Sequence, residues 1–243
     1  MSRLDKTFEI ITITFNNNEG LKKTAQSIFE QNNSDIIWTI IDAGRSHLVQ
    51  QLCSKNFCKV RFFNDKGNGI YDAMNIGLSN ASGDYLMFLN AGDTLDNKWR
   101  VVDFLEYSNY NEFDILLMGY KFKGKVYKPY TFQYWVYKMP TSHQAIIFKK
   151  NIHKSFMYDT KYKISADFDL LHRLKKNGFQ FKTHESVAVL IEPGGLSDLQ
   201  RSLVFRERLA ILDDFRWQKF IVVFSYIYCI PPILRNFLKK VNL

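Results

Sequence analysis

Apolar segments of strand length alternate with amphipathic segments along the first ninety residues, and this alternation limits the folds open to the chain. The apolar segments are residues 8–15, 36–41, 60–63 and 85–89. Segments with helical spacing are residues 19–31, 46–55 and 70–80. Strands that are apolar on both faces are typical of a parallel sheet covered by helices. The sequence therefore predicts an α/β fold with a Rossmann-like, mostly parallel sheet flanked by helices.

The second half of the chain is less regular. Its expected elements are strands at 114–119, 144–148 and 181–191, a hairpin that turns at Gly124, and a helix ended by Gly178. A long helical tail follows them. We divide the chain into residues 1–95, residues 96–198 and a C-terminal tail of residues 199–243.

The cysteine content and the N-terminus indicate where the chain works. Cys53, Cys58 and Cys229 are an odd, sparse set without the spacing of a zinc site. They argue for a reducing compartment and against a disulfide framework. The first ten residues lack the apolar run of a signal peptide. We therefore expect a cytoplasmic protein.

The net charge of +9 is compatible with three kinds of partner. Nucleic acid, an anionic membrane surface and a phosphorylated small molecule all attract a basic protein. The sequence has no helix-turn-helix, zinc-finger or RNP-like pattern, so nucleic acid is not expected. A basic surface that only contacts solvent remains the alternative.

Polar residues follow three of the predicted strands, and ligands of parallel sheets bind at the carboxyl ends of strands. The residues after these strands include Thr14, Asp42 and Asp93. Nucleotide-binding GxxxxGK[ST] and GxGxxG patterns, HExxH and GxSxG are absent from the sequence. Mg²⁺ is usually held by one or two carboxylates together with substrate phosphates. Each aspartate alone is equally compatible with a helix cap or a turn.

Six segments resemble family 2 glycosyltransferases with the GT-A fold. In chain order they are IITITFNN, IIDAG, GNGIYDAMNIGLSNASGDYLMFLNAGD, HQAIIF, ADFDLLHRL and GGLS. The long third segment is the most specific. The resemblance is greatest to the bacterial subgroup that builds surface polysaccharides such as O-antigen or capsule. It implies a metal-dependent hexosyltransferase that inverts the anomeric carbon, with a UDP-sugar as the expected donor.

The resemblance assigns donor-binding roles in the first half, residues 1–95. Thr14, Phe15 and Asn16 match the segment that holds the nucleotide base. Asp42 matches the acidic residue on the uracil or ribose side of the donor. Residues 1–95 are accordingly expected to form the nucleotide-sugar-binding half.

The resemblance also assigns a metal-binding turn. Asn90, Ala91, Gly92 and Asp93 match the acidic motif that is usually written DxD. Asn90 and Gly92 stand where acids are common, so Asp93 alone is expected to bind Mn²⁺ or Mg²⁺. Asn90 is expected to hydrogen-bond a ribose hydroxyl, and Ala91 and Gly92 to line the donor site.

Four residues around the start of the predicted helix at 70–80 are also candidates. Lys66 is expected to approach the diphosphate, unless it is merely solvated, and Gly69 belongs to the matching donor block. Tyr71 and Asp72 are expected to contact the acceptor. The alternative for Asp72 is a favourable interaction with the helix dipole.

The second half, residues 96–198, is expected to hold the acceptor and the catalytic base. Asp167 matches that base, although Ala166 precedes it where the family usually has glutamate. Asp169 is the alternative, but residues i and i+2 at a helix start point in different directions. His143 and Gln144 match the family's HQ pair near the acceptor or diphosphate, and a structural role is the alternative for His143.

The C-terminal tail contains an apolar, aromatic run at residues 220–234 that two prolines interrupt. It is too short to span a bilayer, which takes about 20 apolar residues. The cations that flank it are Arg216, Lys219, Arg235, Lys239 and Lys240. This pattern suits an interfacial segment on an anionic leaflet. Packing in the core or in a homodimer is the alternative.

These expectations together describe a peripheral enzyme on the inner face of the cell membrane. Its partners would be a nucleotide-sugar donor and an oligosaccharide or polyprenyl-diphosphate-linked acceptor. Two alternatives remain: transfer onto polyprenyl phosphate, and a non-catalytic relative that only binds nucleotide. Residues 110–195 argue against the first, because transfer to a simple phosphate needs no elaborate acceptor region.

Overall fold

A computed structural model describes most of the chain. The described residues are 6–44, 51–52, 58–130, 138–194 and 200–212. Several expectations lie outside them: most of the helix at 46–55, the end of the GGLS segment, the tail from residue 213, and the cysteines Cys53 and Cys229.

The described residues form one mixed sheet with helices on both faces. Its strands are β1 (Phe8–Thr14), β2 (Ile36–Asp42), β3 (Lys59–Asn64), β4 (Tyr85–Phe88), β5 (Thr94–Leu95), β6 (Ile115–Phe122), β7 (Lys125–Tyr127), β8 (Ile146–Lys149) and β9 (Phe181–Ile191). The helices are α1 (Asn18–Phe29), α2 (Ile70–Asn80), α3 (Val101–Tyr110), α4 (Lys150–Ser155), α5 (Ala166–Lys176) and α6 (Arg201–Ile211). The predicted α/β class is confirmed.

The strand order across the sheet is β3-β2-β1-β4-β8-β6-β9-β5, with β7 paired to β6. Strands β3, β2, β1 and β4 are mutually parallel, as the apolar alternation predicts. Strand β8 runs antiparallel between β4 and β6, and β6 pairs in parallel with β9. The sheet therefore includes strands from both sides of residue 96.

The apolar strands are explained by two cores, one on each face of the sheet. Ile10 of β1 packs into the core that includes Leu21 and Ala25 of α1. The next residue, Ile11, packs into the opposite core with Met74 and Leu78 of α2. Successive side chains of a strand point to opposite faces, so a strand covered on both sides is apolar throughout.

Helix α2 lies unusually close to β1. A Cβ atom on Gly77 would stand 2.6 Å from Cγ2 of Ile11, so only glycine allows this approach. The close packing places the first turn of α2 near the carboxyl ends of the parallel strands.

The carboxyl ends of the four parallel strands meet at one edge. In register, Thr14 of β1 is beside Asp42 of β2, and Asp42 is beside Asn64 of β3. Beyond β4, the Ala91 amide donates to the Ile13 carbonyl at 3.2 Å, which extends the same edge. The predicted crevice residues of the first half therefore share one edge of the sheet.

A membrane-crossing helix was not expected from the sequence. Across the ranges that the structure describes, no helix combines the length and the apolar character needed to cross a bilayer.

Candidate active site

A cavity of about 560 Å³ opens beyond the ends of β2 and β3, lined by Ala43, Asn64, Asp65 and Lys66. The sequence analysis singled out Lys66, for the diphosphate, but not Asp65. One oxygen of Asp65, Oδ1, is buried without a hydrogen-bond partner among the described residues. Asp65 directly follows β3, and Asp42 is the last residue of β2, so the same signal, an aspartate at a strand end, could have found it.

The segment after β1 turns back against the loop after β2. Asn16 has a left-handed backbone, with φ of 51°, and a Cβ on Gly44 would stand 2.5 Å from its Oδ1. The buried Asp42 carboxylate accepts a hydrogen bond from the Gly44 amide at 2.7 Å. Thr14 is buried, whereas the Phe15 side chain is 67% exposed. The loops after β1 and β2 thus form a compact wall with one exposed aromatic ring.

Helix α1 holds the backbone of the acidic turn, residues 90–93. Thr24 Oγ1 donates to the Asp93 carbonyl at 2.7 Å and accepts from the Gly92 amide at 3.0 Å. Asn17 Nδ2 donates to the Ala91 carbonyl at 3.0 Å. Gly92 has φ of 113°, a conformation that favours glycine. The turn is therefore fixed by side chains that the sequence analysis did not single out.

The Asp93 carboxylate is buried and receives two hydrogen bonds from the second half of the chain. Gln144 Nε2 donates to its Oδ2 at 2.9 Å, and the Glu192 amide donates to its Oδ1 at 2.9 Å. Gln144 in turn accepts a hydrogen bond from Ser142 Oγ through its own Oε1. Burial raises the pKa of Asp93, and the two hydrogen bonds oppose that rise. The structure places Gln144 against Asp93, and its acceptor contact stays a prediction.

The acidic turn offers oxygen atoms that fit a divalent cation. Asn90 Oδ1 is buried and has no hydrogen-bond partner among the described residues. Each oxygen of Asp93 has one protein donor, which leaves a lone pair on each. The described ranges contain no group of three or more His, Cys, Asp or Glu residues that could hold a metal. A cation here would need further oxygen ligands from phosphate and water, as Mg²⁺ commonly does.

His143 lies between the acidic turn and Asp167. Its Nε2 is 3.2 Å from Asn90 Nδ2, and its Nδ1 is 3.9 Å from Asp167 Oδ2. One ring nitrogen of His143 thus contacts the acidic turn, and the other faces the Asp167 carboxylate. The side chains of His143 and Asp167 are 23% and 17% exposed, so both are reachable.

Tyr71 supports Asp167 from the first turn of α2. Its hydroxyl donates to the Ile164 carbonyl at 2.7 Å and lies 3.4 Å from Asp167 Oδ1. Burial, and then the Asp167 charge, raise the pKa of Tyr71, so the phenol stays a donor. Asp72 lies in the same turn, beside Gly69, and a carboxylate there interacts favourably with the helix dipole.

Asp169 points away from His143, Asp167 and Tyr71. Its Oδ2 accepts a hydrogen bond from Arg173 Nε at 2.7 Å, and Arg173 also donates to the Met157 carbonyl at 2.7 Å. Asp169 thus has a partner within the fold, whereas Asp167 faces His143 and Tyr71. The different directions are those expected of residues i and i+2 at a helix start.

Glu207 of α6 ties down the loop that leads into α5. Its carboxylate accepts from the backbone amides of Lys163, Ile164 and Ser165, at 2.6, 3.0 and 2.9 Å. This loop precedes Asp167 and includes the carbonyl that Tyr71 contacts. No sequence pattern indicated this role, because a glutamate in a polar helical segment normally faces solvent.

Residues 9–167 match the model of a protein family described as "Glycosyl transferase family 2". A PGL/p-HBAD biosynthesis glycosyltransferase of Mycobacterium tuberculosis is 28% identical over 215 residues, covering 83% of this chain and 83% of that protein. An uncharacterized glycosyltransferase of Mycobacterium tuberculosis is 37% identical over 91 residues, 36% of this chain and 34% of that protein.

Solved structures of glycosyltransferases share the fold. Staphylococcus aureus TarS 1-349 matches with a TM-score of 0.66 and 15% identity, over 85% of this chain and 65% of that chain. The same protein with UDP-GlcNAc matches with a TM-score of 0.68. The Pyrobaculum calidifontis mannosyltransferase PcManGT, with GDP-Man and Mn²⁺, matches with a TM-score of 0.64 and 11% identity, over 84% of this chain and 63% of that chain. The expected GT-A fold is confirmed, and the chain spans somewhat less than two thirds of each of these three structures.

Replacing Glu207 with alanine should destabilise the protein, because three backbone amides would lose their acceptor. Hydrogen bonds to charged groups contribute about 1.5–3 kcal/mol each when buried, and Glu207 is partly exposed. We expect a loss of roughly 2 kcal/mol, which lowers the melting temperature by about 4–8 °C.

Arg206→Ala is the matched control for thermal unfolding, because Arg206 is exposed on the same helix. It should melt close to the wild-type temperature. Equal melting temperatures for the two variants would contradict the tethering role of Glu207.

Proposed function

The chain belongs to glycosyl transferase family 2, and we propose that it moves a hexose from a UDP-sugar to a saccharide hydroxyl, with inversion at the anomeric carbon and with a divalent cation. One observation carries the proposal. His143 connects the acidic turn to Asp167, with 3.2 Å to Asn90 on one side and 3.9 Å to Asp167 on the other. A diphosphate at the turn would therefore hold its sugar within reach of Asp167.

The nucleoside would occupy the cavity beyond β2 and β3. The unpaired Asp65 Oδ1 offers an acceptor for a base N–H. Asp42 would contact the uracil or ribose side of the donor. Thr14, Phe15 and Asn16 would form the neighbouring wall, where the exposed Phe15 ring can stack. Structures of TarS with UDP and with UDP-GlcNAc favour a uridine donor for the shared fold.

The diphosphate would lie along the acidic turn. Asp93 would hold the cation, and Asn90 would offer its unpaired oxygen to the cation or to a ribose hydroxyl. A bound Mn²⁺ or Mg²⁺ neutralises charge on a departing diphosphate. Ala91 and Gly92 would let the donor approach the backbone closely. Lys66 and Gly69 would complete the donor side.

Asp167 would act as the general base. Its carboxylate would accept the proton of the acceptor hydroxyl while that oxygen bonds to the anomeric carbon. The bond from this carbon to the diphosphate oxygen breaks, and the diphosphate leaves with the electron pair. A positioned base typically contributes about 10²–10⁴ in rate. Tyr71 and His143 would hold Asp167 in place.

The acceptor would enter over the residues that surround Asp167. The sequence assigned Tyr71, Asp72, His143, Gln144 and Asp169 to it, and of these His143 has a partly exposed side chain beside the base. An oligosaccharide on polyprenyl diphosphate, in O-antigen or capsule assembly, fits the resemblance to the surface-polysaccharide subgroup. Transfer onto polyprenyl phosphate and nucleotide binding without turnover are the alternatives.

Mn²⁺ should strengthen UDP binding through Asp93. Calorimetric titration should give a dissociation constant for UDP that is roughly tenfold lower with Mn²⁺ than without it. Asp93→Asn should remove this metal effect, because a neutral amide is a poor cation ligand. Asp103→Asn, on the exposed face of α3, is the control and should keep it. Metal-independent UDP binding by the wild-type protein would rule out Asp93 as the cation ligand.

Asp167→Asn should reduce sugar transfer by about 10²–10⁴ while UDP binding stays within about twofold. Asp169→Asn should instead lower the melting temperature, because it breaks the bond to Arg173, and the folded protein should retain transfer. Initial rates with UDP-sugars measure sugar transfer by the two variants, and calorimetry measures their UDP binding and melting temperatures. Retained turnover in Asp167→Asn, or loss of transfer in a stable Asp169→Asn, would overturn the assignment of the base.

We also propose that residues 213–243 bring the enzyme to the inner face of the cell membrane. The support is the sequence alone, an aromatic run framed by cations. Deleting residues 217–243 should abolish co-sedimentation with phosphatidylglycerol vesicles, and high salt should weaken it for the full chain. Unchanged sedimentation would refute membrane contact, and loss of a dimer upon deletion would instead favour a homodimer interface.

A further inference from the structure

Helix α6 places a guanidinium beside the proposed catalytic base. Arg208 lies over the Phe168 ring, with 5.0 Å between its Cζ and the ring centroid. Its charge interacts with Asp167 and with Tyr71. Burial lowers the pKa of Arg208, and those two neighbours oppose the shift. A cation therefore lies within electrostatic reach of the group that would receive the acceptor proton.

Two hydrogen-bond donors near Asp167 have no acceptor. Arg208 Nε and Ser165 Oγ are both buried, and neither has a hydrogen-bond partner among the described residues. Ser165 directly precedes α5, and its backbone amide already donates to Glu207. Glu207 precedes Arg208 on α6, so Ser165 lies close to the segment that carries Arg208. Buried polar groups are nearly always paired in native proteins, so these two donors suit a ligand that accepts hydrogen bonds.

The ligand that best suits these two donors is an oxyanion. A guanidinium and a hydroxyl are the donors that commonly bind phosphate or carboxylate oxygens. The Arg208 side chain as a whole keeps some accessible surface, so a ligand can approach it. Among the described carboxylates near α6, Glu207 is occupied by three backbone amides and Asp169 by Arg173, whereas Asp167 interacts with the Arg208 charge.

The position of Arg208 indicates that this oxyanion belongs to the acceptor and not to the donor. Arg208 lies over the ring of Phe168, the residue after Asp167, whereas the Asp93 carboxylate is hydrogen-bonded to Gln144 and to the backbone of Glu192. The guanidinium is therefore on the side of the base and not at the acidic turn. Resting on the function proposed above, we propose that Arg208 and Ser165 bind a phosphate or carboxylate group of the acceptor, next to the hydroxyl that Asp167 deprotonates.

This site would make acceptor choice a property of the C-terminal helix. The family match ends at residue 167, and Arg208 lies forty-one residues beyond it. Acceptors with an anionic group near the reactive hydroxyl would be selected over neutral ones, because a buried guanidinium without a partner is unfavourable.

The first test uses inorganic phosphate and the full chain saturated with UDP and Mg²⁺. Calorimetry at constant ionic strength should show phosphate binding that Arg208→Gln weakens at least tenfold and Ser165→Ala weakens less. Arg206→Gln, which removes an exposed charge from the same helix, should bind phosphate like the wild type. Absent phosphate binding, or equal losses in Arg206→Gln and Arg208→Gln, would overturn the proposal.

The second test separates the two substrates. Glucose 6-phosphate and glucuronate should bind the UDP-saturated protein at least tenfold more tightly than glucose, and Arg208→Gln should abolish the difference. Weaker binding of UDP itself to Arg208→Gln would assign the guanidinium to the donor and refute the inference. Failure of the wild-type protein to bind UDP or hydrolyse a UDP-sugar would refute the proposed function instead.

Folding of the variants can be checked directly. Arg208 Nε makes no hydrogen bond to a described residue, and Glu207 still ties α6 to the loop before α5. Arg208→Gln should therefore melt near the wild-type temperature. If Arg208→Gln melts at a clearly lower temperature, Arg208→Lys is the variant to test. It keeps the positive charge but loses the planar pair of donors, so its affinity for phosphate should fall only in part. Unchanged affinity in both Arg208→Lys and Ser165→Ala would contradict the site.

Discussion

The hydrogen bonds from Thr24 to the acidic turn are the contact on which the rest of the site depends. One hydroxyl accepts from the Gly92 amide and donates to the Asp93 carbonyl, while Asn17 holds the Ala91 carbonyl. After β4 the backbone groups of Gly92 and Asp93 are no longer paired within the sheet, and Thr24 of α1 supplies their hydrogen-bond partner. These hydrogen bonds fix the backbone of the turn, which sets the positions from which the side chains of Asn90 and Asp93 extend.

Burial of a carboxylate connects the two halves of the chain at this turn. Asp93 follows β4, but its two hydrogen bonds come from Gln144, before β8, and from the backbone of Glu192, after β9. Burial raises the pKa of Asp93, and the two hydrogen bonds oppose that rise, so the strands that supply them offset part of the cost of burying this carboxylate. His143, adjacent to Gln144, is positioned by the same requirement, and it extends the connection to Asp167. The residues proposed for catalysis are thus positioned by their contacts with the turn proposed to hold the donor.

The local sequence pattern predicted the helices and strands, but it predicted only some of the contacts between them. Apolar alternation indicated the parallel strands, and the rule that ligands bind at strand ends led to Asp42 and Asp93. The i, i+2 spacing of Asp167 and Asp169 predicted that they diverge. The bonds from Gln144 to Asp93 and from Glu207 to residues 163–165 join positions that are 51 and 42–44 residues apart. Such partners depend on tertiary packing, and periodicity carries no information about them.

A crystal structure of the full chain with UDP and Mn²⁺ tests the central claim most directly. The claim is that the acidic turn and Asp167 face the same anomeric centre. The uracil should occupy the cavity lined by Asp65, Asp93 should be a ligand of the Mn²⁺, and the β-phosphate should point toward Asp167 across His143. A diphosphate that points away from Asp167, or a nucleotide bound elsewhere on the sheet, would contradict the account.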